Sequence, residues 1–183
     1  MPTWGWVLIG IGAVALCLLI ARRAFAARSR RGLQEAFGPE YDRTVADAPT
    51  RREAESDLAE RQKRREQLDI KPLEPAARDR YADEWHRAQK HFVDDPADAV
   101  GQADRLIQDV MRERGYPVED FEQRAADVSV DHPNVVENYR TAHRISGVSS
   151  RGEASTEDLR TAMVHYRSLF SELLEVEAAA TKR

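Results

Sequence analysis

From Pro75 onward, apolar side chains recur every three or four positions, the period of one face of an α-helix. Tyr81, Trp85, Ala88 and Phe92 share a face over residues 75–92. Asp95-Pro96, a capping residue with proline at the first helical position, opens a second helix. That helix turns Val100, Ala103, Leu106, Ile107, Val110 and Met111 inward and stops at Gly115. A third is expected to start at Pro117 and to bury Val118, Phe121, Ala125 and Val128. A fourth is expected from Pro133, with Val136, Tyr139 and Ala142 inside, ending near Gly147. After a loop over 147–154, Ser155 or Thr156 caps the last helix, where Leu159, Met163, Tyr166, Phe170 and Leu173 repeat at near-heptad spacing. There is no strand alternation of useful length and no internal repeat, so these amphipathic helices predict a small bundle.

Upstream the pattern thins out. Residues 27–37 are basic and helical in character and lead to Phe37. Gly38 breaks the pattern, Pro39 starts a helix over 39–47 carrying Tyr41 and Val45, and Pro49 ends it. Thr50-Arg51-Arg52-Glu53 is a capping box opening the stretch RREAESDLAERQKRREQL. Its charges alternate in sign, and its apolar positions are few, Ala54, Leu58 and Leu68 among them. A helix of this kind is held mainly by i,i+4 pairs, each contributing roughly 0.2–0.5 kcal/mol. It predicts a stalk, with weak self-association through the same helix as the alternative. The segment DIKPLEP, over 69–75, reads as a two-proline linker.

The N-terminus differs again. Trp4 to Ala21 carry no charge, a run of 18 residues. As a helix this spans roughly 27 Å, close to the hydrocarbon core of about 30 Å. Trp4 and Trp6 sit at one end and Arg22 and Arg23 at the other, as expected of interfacial anchors. A cleaved signal peptide fits less well. No basic residue precedes the run, the run exceeds the usual apolar region, and Ala24-Phe25-Ala26 lies beyond two arginines. The arginines behind the run place the body on the cytoplasmic side of a single-pass membrane protein. The expected fold class is therefore all-α: a single N-terminal transmembrane helix, a charged juxtamembrane helix and a small C-terminal helical bundle. The expected divisions are an anchor over 1–22, a basic collar and charged stalk over 23–74, the bundle over 75–177 and a disordered tail over 178–183.

Charge sharpens this picture. The net charge is −4. Arg22, Arg23, Arg28, Arg30 and Arg31 against Glu35 give +4 up to residue 36, which leaves −8 for the rest. An acidic body without a basic stripe argues against nucleic acid as a partner. The lone cysteine, Cys17, has no internal disulfide partner.

Candidate chemistry is sparse. His86 and His91 are five apart and do not share a helical face, while His132, His143 and His165 lie on different elements. Asp94-Asp95-Pro96 reads as a helix cap, and the stripe of Tyr81, Trp85 and Phe92 as core. There is no phosphate loop, nucleophile elbow or paired-histidine zinc motif. No catalytic, cofactor-binding or metal-ligating residue is assigned. Two stretches are less generic: Phe37-Gly38-Pro39-Glu40-Tyr41-Asp42-Arg43, and 131–140. From them Phe37, Tyr41, Arg43, His132, Tyr139 and Arg140 make a candidate interaction surface.

The succession FGPEYDR, LDI, FVDDP, GYPVEDFEQRAADVSVDHP, VVENYR and GEASTEDLR resembles a family of small bacterial hypothetical proteins commonly labelled membrane or secreted. The resemblance covers nearly the whole chain from Phe37 and implies no activity and no functional residues. The reading that follows is a membrane-anchored protein-interaction or adaptor module at the inner face of a bacterial membrane. Its expected partners are membrane lipid and another protein, and no cofactor. It predicts an apolar groove. One alternative is an enzyme with a polar site among the scattered histidines, which predicts ionisable side chains around one buried cavity. Another is an exported domain tethered on the outer face.

Overall fold

The computed structural model describes Cys17, Ile20, Arg22, Arg23 and residues 27–175. Helical backbone over 27–37, here α1, runs to Gly38. It is followed by α2 (Pro39–Asp47), α3 (Arg51–Arg65), α4 (Pro75–His91), α5 (Pro96–Arg114), α6 (Phe121–Asp131), α7 (Val136–Ser149) and α8 (Thr156–Glu175). Among the described residues there is no strand.

The all-helical class holds, but the transmembrane part of it is corrected. Among the described residues no helix is long and apolar enough to cross a membrane. In α8, the longest of α2–α8, the exposed Glu157, Asp158, Arg160, Arg167 and Glu172 alternate with the buried apolar positions, so no long uncharged run forms. Trp4, Trp6 and most of the expected span lie outside the described residues, as does the expected tail over 178–183. Arg22 and Arg23 are helical and exposed.

The bundle is α4–α8. The last helix packs along both α5 and α7, and α4 lies against α5. Its core joins Tyr81 and Trp85 of α4, Ile107, Val110 and Met111 of α5, Val128 of α6, Tyr139 of α7, and Tyr166, Leu169 and Phe170 of α8. Trp85 and Phe170 stack with ring centroids 4.8 Å apart. Every apolar position read as inward in α5 is buried.

Local signals set most boundaries. The Thr50 hydroxyl accepts from the Glu53 amide at 3.3 Å and the Asp95 carboxylate from the Asp98 amide at 3.0 Å. Ser155 and Asp158 cap each other reciprocally. Gly115 ends α5 with φ 98°, and the Tyr116 amide reaches back to the Met111 carbonyl at 2.9 Å. A Cβ at Gly115 would also stand 2.5 Å from the Asp69 carbonyl oxygen. Both the turn and the close approach therefore require glycine there.

Four expectations shift. The third bundle helix begins at Phe121 rather than Pro117, because Asp120 caps it by accepting from the Gln123 amide at 2.8 Å. The fourth begins at Val136, since Pro133 sits in a turn where the Val135 amide donates to the His132 carbonyl. The charged helix α3 does not stand free as a stalk. It buries Ala54 and Leu58 and lies against α6. Nor is the linker loose: Leu73 is buried, and the Lys71 amide donates to the Arg114 carbonyl at 2.8 Å.

Candidate functional site

The first turn of α2 places Glu40 next to Pro39, where an acidic side chain favours the helix N-terminus. Unusually for a carboxylate, it is only 2% exposed. Arg140 of α7 holds it with both nitrogens of its fork, Nη2 to Oε1 at 2.7 Å and Nη1 to Oε2 at 2.8 Å. Arg61 of α3 donates to the same Oε1 at 2.9 Å, and Arg43 approaches at 3.5 Å. Burial pushes the Glu40 carboxyl up. The hydrogen bond and charge of Arg140, with Arg43 and Arg61, outweigh it and leave the group below its ordinary range.

This carboxylate ties three helices together. Arg61 also donates to Asp57 at 2.6 Å and to the Ser129 hydroxyl of α6 at 3.3 Å. Arg43 reaches Glu137 of α7 at 3.1 Å. Further along α3, Arg64 donates to Gln123 at 2.5 Å, and Arg65 pairs with Asp131, which also accepts from the Tyr116 hydroxyl. On the outer side, Tyr41 and Arg30 both donate to Glu55 Oε1 at 2.9 Å.

Two open clefts flank the Arg61 spoke. One, of about 460 Å³, runs between α3 and α6 and is lined by Glu60, Lys63, Arg64, Gln67 and Gln123 among others. The second, of about 340 Å³, lies on the α2 side between Asp47, Glu53, Glu122 and Arg140. Two further clefts follow α4 and α5, walled by Glu84, Arg87, Arg105 and Asp109 and by Arg80, Arg112 and Glu113. Charged side chains line each of these four clefts.

Inside the bundle sits a second polar cluster. Asp104 of α5 accepts from the Tyr166 hydroxyl at 2.6 Å and from Gln108 at 2.7 Å, and faces His143 Nδ1 at 3.4 Å. His143 stacks on Phe121 with centroids 3.7 Å apart. Burial raises the Asp104 carboxyl, but the hydrogen bonds from His143 and Tyr166 prevail and hold it below its ordinary range. Burial beside Asp104 pushes the Tyr166 phenol far up.

The six residues expected to form an interaction surface divide. Phe37, Tyr41, His132 and Tyr139 are buried and offer no surface. Phe37 and Tyr41 pack with Leu33 and Leu58. Arg43 and Arg140 do converge, on Glu40 and Glu137. The two distinctive stretches of sequence therefore meet, and what joins them is Glu40, which sequence reasoning passed over. Its only signal was its place between Pro39 and Tyr41 inside one of those stretches. The histidines stay apart. His132 is buried with Nδ1 3.3 Å from Glu172, His143 faces Asp104, and His165 is half-buried on α8. Among the described residues no group of three or more His, Cys, Asp or Glu side chains is placed to hold a metal ion.

No family model, no curated protein and no solved structure matches this chain.

Proposed function

We propose that this chain is a helical protein-interaction module whose docking surface is the trough between α3 and α6. One observation carries the reading. The trough is open and about 460 Å³ in volume, and Glu60 and Lys63 on its wall pair with no described side chain. Unpaired charges of both signs along a rigid helical edge suit a polar segment carrying one acid and one base. Such contacts favour specificity and association rate over raw affinity.

The test is affinity capture with the full chain, repeated with Lys63→Glu and Glu60→Lys. Capture of the same partner by the native chain, lost in Lys63→Glu and regained by reversing the matching charge on the partner, is the expected result. Capture indifferent to both changes contradicts the trough as the surface.

A second reading, an enzyme, draws on the Asp104–His143–Tyr166 cluster. A half-exposed imidazole oriented by a partly buried carboxylate is the arrangement of a general base. The four clefts described above do not include His143, so a substrate would have to bind outside them. Turnover of any substrate, abolished by His143→Ala and unchanged by Lys63→Glu in the trough, would favour this reading over the first.

A further inference from the structure

The molecule has two apolar clusters that do not merge. The larger contains residues from the linker and α4–α8, and none from α1–α3. The smaller is Leu33, Phe37, Tyr41 and Leu58, with Val45 and, from the bundle, Val130 at its edge. Val130 apart, the contacts that join the two sides are polar: Glu40 with Arg140, Arg43 with Glu137, Arg61 with Ser129, Arg64 with Gln123, and Arg65 with Asp131. An interface of this kind resembles one between separable domains, where relative motion is the default expectation.

From this arrangement we infer that α1–α3 is a clasp that opens from the α4–α8 bundle as one body, with the buried Glu40 as its bolt. The pivot lies between the end of α3 and Lys71. Downstream of it the chain is fixed to the bundle, because Arg114 donates both to the Lys71 carbonyl and, at 2.9 Å, to the Leu173 carbonyl. Upstream, Ile70 still packs on the bundle core and Asp69 lies against Gly115, and the chain turns back to α3 over Gln67 and Leu68, whose amides donate to the Arg64 and Arg65 carbonyls.

The bolt makes the opening concerted. Arg43, Arg64 and the Arg65–Asp131 pair are partly solvated and screened by salt, although Arg64 also faces the buried Asp127 at 3.6 Å. Glu40 is not, because its carboxylate is buried. Its desolvation cost is offset only while Arg140 and Arg61 are both in place, so a half-open state leaves a buried charge without compensation. In the open state water hydrates all three groups. The net cost of opening is therefore small although the closed contacts are many.

Opening also dismantles the α3–α6 trough. The clasp thus controls the docking surface proposed above, but it stands on the two clusters and their polar seam alone.

Hydrogen exchange on the full chain, read helix by helix at low and high salt, tests it. Added salt is expected to speed exchange across α2 and α3 together by about tenfold while α5 and α8 hold their rates. Arg65→Asp should produce the same selective acceleration without added salt, and Arg65→Asp with Asp131→Arg should reverse it. The double variant separates an opened clasp from a helix that has lost its fold. Exchange in α2 and α3 that follows α5 and α8 at every salt concentration, or a double variant as fast as the single one, would overturn the clasp. Loss of partner capture with intact salt-dependent opening would overturn the docking surface and leave the clasp standing.

Discussion

The bundle and the clasp are both helical, and they hold together by different physics. In α4–α8 the buried side chains are aromatic and aliphatic, from Trp85 stacked on Phe170 to Met111 and Leu169. In α1–α3 four large apolar residues form the cluster, Val130 of α6 touches its edge, and most of the attachment to the rest is by arginine with carboxylate, hydroxyl or amide groups. Apolar burial is non-directional and hardly responds to low salt, whereas exposed ion pairs are screened. One chain therefore contains a region whose stability is fixed by packing and a region whose attachment is set by its surroundings.

The largest effect that would sharpen this contrast is in the core. Trp85→Ala removes the stack on Phe170 and should cost about 3–5 kcal/mol of global stability. Urea unfolding measures it, and the loss should be the same at low and high salt. A loss that depends strongly on salt would erase the distinction.

A smaller effect is expected at the junction of linker and bundle. Gly115→Ala forces a Cβ at φ 98° toward the Asp69 carbonyl. Strain of this type costs about 1–3 kcal/mol. The same denaturation experiment reads it, and Gly115→Asn, which tolerates the left-handed region better, should lose less only if the conformation rather than the contact dominates.

Acid should separate the regions by pH window. Burial pulls the His132 imidazole below its ordinary 6.5, with Arg114 adding to the effect and Glu172 and Asp131 opposing it. The native state then stays neutral while the unfolded chain takes up a proton. Stability is complete above pH 6.5 and falls as pH drops through 6.5 toward the folded value. Glu40 is held below its ordinary 4.5, so its contribution is complete above that pH and is lost only lower down. The bundle should therefore weaken first on acidification, and His132→Asn should abolish that first loss. An unchanged profile in His132→Asn contradicts the assignment.

The smallest effect is at the rim. Arg43 pairs with Asp47 and Glu137 in a partly exposed setting. Arg43→Ala should change stability by no more than about 1 kcal/mol and only at low salt.

How much of this could be read from the chain depended on range. Caps at Thr50, Asp95 and Ser155 and the stop at Gly115 are written within four residues and were legible. The starts of α6 and α7 were misplaced because proline at Pro117 and Pro133 was weighed above the Asp120 cap and the turn at His132. The stalk expectation correctly found little to bury in α3. It missed that Leu58, with Leu33, packs on Phe37 and Tyr41, so those aromatics became core rather than surface. The Glu40–Arg140 pair spans 100 residues, and no periodicity encodes such a meeting.

The central claim is that two separately held bodies share one chain, and a distance across the seam tests it most directly. Spin labels at Lys63→Cys on α3 and Arg167→Cys on α8, in a Cys17→Ser background, report that distance in the full chain. One short distance at low salt, joined at high salt by a second, longer population while the bundle stays folded, is the predicted result. A single short distance at every salt concentration, up to the point where the whole chain unfolds, would contradict it.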